Sequence, residues 1–300
     1  EYKGLFWIRD SVFENWKEYC RTFLNHVNPH TGLALKDDPV LVSLNIINEG
    51  NIDKAAAASE LVKSEYRKAF RAWLENRAIE EPADAAERER LYSAFLLESY
   101  RRRSRQMVEF LREQGVKCVL SDTNMLSGPM LSVVRSGYDF VDNHVYWGGP
   151  SGTYDVPSSL SQNSAIGRGT SPDELFLSRL YGRPFSVSEF DFCKPNRFRA
   201  EGPLLMASYA GLQGWDMLCQ FAWSHWDGDI TKELVSNHFN IANDCVKALS
   251  NQLGAALFRS GSVAPAPVAL ATVIGSADGL TFGSEYPMPL NRLGRVVRVH

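Results

Sequence analysis

Residues 41–51 read LVSLNIINEGN. Leu41, Val42, Leu44, Ile46 and Ile47 make an apolar run that stops at Asn48-Glu49-Gly50. A run of 4–8 residues rich in β-branched and aliphatic side chains, cut off by turn residues, reads as a strand. We take the strand as Pro39 to Ile47. Its tip delivers an amide and a carboxylate side by side.

The flanking sequence alternates in the same way. Asp10 to Val27 has helical spacing, with Asp10 or Ser11 as N-cap, an expected apolar face of Val12, Trp16, Tyr19 and Phe23, and a stop at Asn28-Pro29. Helical stretches near 53–80 and 84–114 follow, the second ended by Gly115. Val116–Ser121 (VKCVLS) is a strand leading to Asp122-Thr123-Asn124, then a short helix is expected near 127–136. Tyr138–Tyr146 (YDFVDNHVY) is a strand, and a Gly/Ser-rich loop occupies 147–171. Ser171-Pro172 opens a helix to about Leu180, with Pro172 at its first position. Pro184–Glu189 is a strand, 200–213 a helix, Asp216–Trp223 (DMLCQFAW) a strand and 240–257 a helix. Strand and helix thus alternate five times, which implies a parallel α/β sheet. Five units do not close an eight-stranded barrel. The expectation is therefore either a (β/α) barrel without its N-terminal part or a flavodoxin-like open sheet. Residues 1–258 form the expected (β/α) domain. Beyond 259 the texture changes: APAPVALATV, GLTFGSEY and GRVVRV read as strands of an appended β region, 259–300.

Composition narrows the function classes. The 300 residues are 44% hydrophobic and 22% charged with a net charge of −3, which argues against a nucleic-acid partner. Arg101-Arg102-Arg103-Ser104-Arg105 lies in a Glu-rich helical pattern and reads as a solvated face. No run of 18 apolar residues exists, so no membrane-spanning helix is expected. The five cysteines form no CxxC pair, so neither a zinc site nor a disulfide framework is expected. Cys118 and Cys219 read as small core residues. No GxGxxG or phosphate loop is present, and no cofactor or metal is called for.

Polar residues end successive strands: Asn48 and Glu49; Asp122, Thr123 and Asn124; His144 and Tyr146; Glu189; Trp223 and His225. In parallel α/β folds ligands sit at these carboxyl ends. Each residue also has a plain structural reading. Asp122 or Asn124 could cap the next helix, His144 could be a satisfied core histidine, Trp223 could be packing, and either glutamate could be a solvated loop carboxylate. Their joint occurrence in chain order is the stronger signal.

The series strand-Asn48-Glu49, His144-x-Tyr146, strand-Glu189, Trp223 resembles the active-site series of clan A retaining glycoside hydrolases, (β/α)8 barrels of which family 5, the cellulase and mannanase group, is the nearest comparison. NPHTGLALKDDPVLVSLNIINEGN also resembles bacterial cellulase-like proteins. The likeness covers about residues 10–258 and places the visible strands as the fourth to eighth of the barrel. The first three strands, with the basic residue that follows the second, have no counterpart here, which implies that they come from upstream in the same full-length protein.

The resemblance implies a β-linked poly- or oligosaccharide substrate of glucan, mannan or galactan type, cleaved by double displacement. Glu49 would be the acid/base and Glu189 the nucleophile. Asn48, Asn124, His144, Tyr146, Trp147, Trp223 and His225 would contact or position the sugar, with Trp223 as its floor and Trp226 and Tyr154 as further aromatic candidates. Retention needs one carboxyl group protonated and the other ionised. The substrate class implies a secreted or periplasmic bacterial protein. Two alternatives stay open: a non-catalytic carbohydrate-binding barrel, and an unrelated phosphate-binding α/β enzyme, faintly echoed by GRGTSP at 167–172.

Overall fold

In the computed structural model, residues 2–124, 128–150, 161–167, 171–231, 237–277 and 279–300 are described. Parallel strands carry the candidate residues. They fall in two units, Glu1–Phe140 with Ile274–Glu285, and Val141–Val273 with Tyr286–His300.

The first unit is helix-rich. It contains α1 (Tyr2–Leu5), α2 (Asp10–Asn25), β1 (Ser43–Asn45), α3 (Ile52–Ala56), α4 (Glu60–Glu75), α5 (Ala85–Glu113), β2 (Val119–Ser121) and α6 (Pro129–Arg135). Helix α2 buries Phe13, Trp16, Cys20 and Leu24. The expected face was displaced by about one residue: Tyr19 and Phe23 are exposed and stack on each other at 5.8 Å. Its N-cap is Arg9, without a side-chain cap, so neither Asp10 nor Ser11 holds that role. The single helix expected over 53–80 is broken at 57–59, because Ser59 Oγ accepts from Val62 N and starts α4 afresh. Such a cap stabilises a helix by about 1 kcal/mol. Val62, Tyr66, Phe70 and Leu74 then form the inner stripe of α4, each worth roughly 1.5–3 kcal/mol when buried. Asp84 caps α5 through Glu87 N at 2.8 Å. β1 and β2 pair in parallel, Ser43 to Val119 through Asn45 to Ser121. β1 is shorter than expected: Val40 and Val42 lie exposed before it. Cys118 is only half-buried.

The second unit holds β3 (Val141–Trp147), a 3-10 turn at Asp173–Ser178, β4 (Phe185–Phe192), α7 (Glu201–Gln213), β5 (Met217–Gln220) and α8 (Cys245–Ser260). The α-helix expected from Pro172 is thus a 3-10 segment that starts one residue later. β3, β4 and β5 form one parallel sheet in that order. Val141 and Val145 of β3 and Phe185, Val187, Phe190 and Phe192 of β4 join Phe176, Met206, Ala210 and Trp215 in the core of this unit. The core positions of β4 are odd-numbered up to 187 and even-numbered from 190. The register explains the switch: Asn143 pairs with Val187 but His144 pairs with Glu189, so Ser188 is an extra, bulged residue. The expected strand ended at Glu189; it continues to Phe192, and Glu189 is inside it. Cys219 on β5 is exposed rather than core.

The chain beyond 260 contains less β structure than its texture suggested. Ala269–Leu270 (β6) pairs in parallel with Arg298–Val299 (β7), a helix (α9) covers Met288–Leu293, and GLTFGSEY forms no strand. Among the described residues no helix is long and apolar enough to cross a membrane.

Candidate active site

In the first unit the β1–β2 ladder continues past its regular ends. Ile46 N donates to Ser121 O at 3.1 Å, and Glu49 N donates to Thr123 O at 2.8 Å. The Glu49 amide also reaches Asn124 Oδ1 at 2.9 Å, while Asn124 Nδ2 donates to Asn48 Oδ1 at 3.0 Å. Asn48, Glu49 and Asn124 are therefore one local structure. Both Glu49 and Asn124 sit at positive φ, 50° and 49°. Asparagine tolerates that conformation, but for glutamate it costs roughly 1–2 kcal/mol. Gly50 completes the turn, because a Cβ there would lie 2.0 Å from Ile47 Cγ2. Asn48 is exposed, Glu49 half-buried and Asn124 buried.

A buried layer supports this tip. Trp7 Nε1 donates to Gly50 O at 3.0 Å. The Trp7 ring stacks on Tyr100 at 4.4 Å, and Tyr100 Oη donates to Asp122 Oδ2 at 2.8 Å. Asp122 is ion-paired with Arg135 at 3.1 Å, both side chains 1% exposed. The capping reading of Asp122 and Asn124 is thereby overturned: α6 has Gly128 as N-cap with no side-chain cap. Burial pushes the Tyr100 phenol well up, and the Asp122 charge adds to it. Thr123 Oγ1 donates to Asn51 Oδ1 at 2.6 Å.

In the second unit, β3 alternates strictly, so Asp142, His144 and Tyr146 share the face opposite Val141 and Val145. Tyr146 Oη donates to Glu189 Oε2 at 2.5 Å. His144 Nδ1 lies 3.5 Å from the same oxygen, and its Nε2 lies 3.0 Å from Ser188 Oγ. Ser188 Oγ donates to Asp142 Oδ2, and Ser188 N to Asp142 Oδ1 at 2.9 Å. Ser186 Oγ donates to Asp142 Oδ1 at 2.5 Å. His144, Tyr146 and Glu189 are brought together as expected. Asp142 and Ser188 were missed, although the alternation D-x-H-x-Y at 142–146 already put Asp142 on the same face.

The aromatic candidates divide differently. Phe221, not Trp223, packs beside Tyr146, edge-on at 6.4 Å, with Phe239 at 5.3 Å from the same Tyr146 ring. Trp223 is 62% exposed and Trp226 74% exposed, both on the loop after β5. The Trp147 indole N–H is taken by Asn163 O at 2.9 Å, with its ring against the core. His225 Nδ1 lies 2.6 Å from Asn240 Oδ1, and Asn240 Nδ2 donates to Asp229 Oδ2 at 3.0 Å. Tyr154, most of the 147–171 loop and 168–170 of the GRGTSP echo lie outside the described residues. Glu201 sits in the first turn of α7 and accepts from Ser164 Oγ and Ala165 N.

Two residues past Glu189, Asp191 pairs with Lys247 of α8 at 2.6 Å, both side chains 0% exposed. Burial pushes the Asp191 carboxyl up to about 6, against the pull of the lysine. Lys194 donates to Asn243 Oδ1. Burial, then the Lys247 charge, pulls its ammonium down to about 8.

No family model matches the sequence, and no curated protein matches it. Among solved structures, the chain is similar to the endo-beta-1,4-mannanase from Thermotoga petrophila, with 15% identity and a TM-score of 0.51 over 86% of this chain and 53% of the mannanase. It is also similar to the polyextremophilic beta-galactosidase from the Antarctic haloarchaeon Halorubrum lacusprofundi, with 16% identity and a TM-score of 0.49 over 89% and 44% of the two chains. The chain spans about half the length of the structures it matches. The mannanase likeness shows the fold: parallel β/α of the (β/α)8-barrel type, which sets the flavodoxin-like alternative aside.

Proposed function

We propose that the chain carries the catalytic carboxylates of a retaining β-glycoside hydrolase, family 5-like, acting on β-linked glucan, mannan or galactan. The observation that carries this reading is the setting of Glu189: a carboxylate on a parallel strand, held by the Tyr146 hydroxyl and flanked by His144. A hydroxyl donor at 2.5 Å fixes the rotamer of the carboxylate, as an attacking group needs. In this reading Glu189 attacks the anomeric carbon as the leaving oxygen takes a proton from Glu49. Glu49 then deprotonates the water that breaks the glycosyl–enzyme ester. Asn124 accepts from the Glu49 amide and donates to Asn48 Oδ1, so Asn48 keeps its Nδ2 for a sugar hydroxyl. Phe221 and the exposed Trp223 and Trp226 offer apolar faces for the C–H faces of pyranose rings.

The test uses the full-length protein and its Glu189→Gln variant on aryl β-glycosides and on β-glucan, β-mannan and β-galactan, with NMR of the first-formed anomer. The expected result is a β-anomer first and activity lost in the variant. Binding without hydrolysis in the parent protein would instead make this a carbohydrate-binding barrel. Equal activity in the variant would remove Glu189 from the nucleophile role.

A further inference from the structure

Serine 188 has one hydroxyl hydrogen and two neighbours that compete for it. One is Asp142 Oδ2; the other is His144 Nε2 at 3.0 Å. An ionised carboxylate only accepts. Asp142 is fully buried, and its other oxygen accepts from Ser186 Oγ and from the Ser188 amide, which can do nothing but donate. The Ser188 hydrogen therefore goes to Asp142, leaving Ser188 Oγ as an acceptor toward the ring. His144 Nε2 must supply the hydrogen of that contact, and in a neutral ring Nδ1 then carries the lone pair. Nδ1 is the nitrogen that faces Glu189 Oε2 at 3.5 Å.

We infer that Asp142 and Ser188 are positioning residues that lock the His144 ring with its hydrogen on Nε2 and Nδ1 turned to Glu189. The inference rests on the proposed nucleophile only for its effect on rate; the tautomer itself belongs to the resting protein. The lock gives the His144 ring a defined job. Nε2 is anchored on Ser188 Oγ while Nδ1 borders Glu189 Oε2 at 3.5 Å, so the orientation of the ring beside the carboxylate is fixed. The bulge is what makes this arrangement possible: in a regular strand Ser188 and Glu189 would point to opposite faces.

Replacing Asp142 by asparagine makes a specific reversal. The amide oxygen keeps the Ser186 hydroxyl and the Ser188 amide, so the amide nitrogen faces Ser188 Oγ and donates to it. The Ser188 hydrogen then turns to His144 Nε2, and the ring hydrogen moves to Nδ1, where it donates to Glu189. A carboxylate-to-amide change at the serine-protease triad imposes the wrong histidine tautomer by the same logic. The experiment is long-range proton–nitrogen NMR of the histidine rings in the full-length protein at pH about 8, where unperturbed imidazoles are neutral. His144 is assigned from a His144→Gln spectrum. The wild type should show Nε2–H, Asp142→Asn should show Nδ1–H, and Ser188→Ala should show a mixture that Ser188→Thr restores. With a hydrolysed aryl glycoside, Asp142→Asn should lower kcat about 100-fold with KM changed less than about twofold. Nδ1–H or a doubly protonated ring in the wild type overturns the inference, as does an unchanged tautomer in a folded Asp142→Asn variant. If the parent protein hydrolyses nothing, the function proposal fails while the tautomer result still stands or falls alone.

Discussion

The two glutamates are mounted in opposite ways. Glu49 is held by its own main chain: its amide is shared between Thr123 O and Asn124 Oδ1, its φ is 50°, and its neighbour must be glycine. Glu189 stands in extended strand and is held by other side chains, Tyr146 and, behind it, the His144–Ser188–Asp142 series. A main-chain mount ties function to backbone strain. A side-chain mount leaves the backbone relaxed and depends on the order of hydrogens in a polar network. The two halves should therefore fail differently when altered.

The largest effect comes from removing each carboxylate. Glu189→Ala should lower kcat by about 10⁴-fold or more whatever the leaving group. Glu49→Ala should do so only for poor leaving groups, since an activated aryl oxygen departs without a proton. Rates across a series of aryl glycosides check this, and an identical dependence in both variants would erase the distinction in roles.

Next come the mounts themselves. Asn124→Ala removes the Glu49 and Asn48 contacts and places alanine at φ 49°, so it should cost about 2 kcal/mol of stability as well as about 100-fold in kcat. Tyr146→Phe should reduce kcat while stability, measured by urea unfolding, stays within about 1 kcal/mol. A Tyr146→Phe variant as unstable as Asn124→Ala would break the comparison.

A smaller effect of opposite sign follows from strain. Glu49→Asn should stabilise the protein by about 0.5–1 kcal/mol while abolishing activity, because asparagine accepts φ near +50°. Calorimetry should show a Tm higher by about 2 °C. A lower Tm would mean that the Glu49 side chain contributes more than its backbone costs.

The smallest is a pH slope in the second unit. Lys194 has its folded pKa lowered to about 8 from 10.5. Between those values the unfolded chain binds more protons, so stability rises with pH there. Wild type should gain on Lys194→Met as pH climbs from 8 to 10.5, read from urea midpoints. A constant difference would show that the ammonium is not held at a cost.

Much of the framework was legible before folding. Glu49 was found because an apolar run ends abruptly, and His144 with Tyr146 because β3 alternates without interruption. Glu189 was found by chain order, yet its strand was ended there, since the bulge breaks the alternation that marks strands. The same break hid Ser188. Trp223 is named because the resemblance ends the eighth strand with a tryptophan; the ladder adds Phe221 beside Tyr146, where Phe221 N is tied to Phe190 O. Asn124 was read as a sugar contact or a cap. It caps no helix, and its buried amide serves Glu49 and Asn48, a pairing across 75 residues that no local pattern carries. The α2 face went wrong because six aromatic or aliphatic residues crowd two adjacent helical stripes, and only tertiary packing chooses between them.

Ser188 also has the arithmetic of an insertion. Without it, β4 would alternate regularly, with Phe185, Val187, Phe190 and Phe192 still inward and Glu189 still on the other side. Deleting the residue is thus a gentler operation on the hydrophobic core than deleting any neighbour. What the strand would lose is one hydroxyl standing next to a carboxylate, two consecutive side chains on one face. Deletion and substitution at 188 consequently ask separate questions: one whether the strand needs eight beads to span its frame or seven, the other whether the ring beside it needs something to hold.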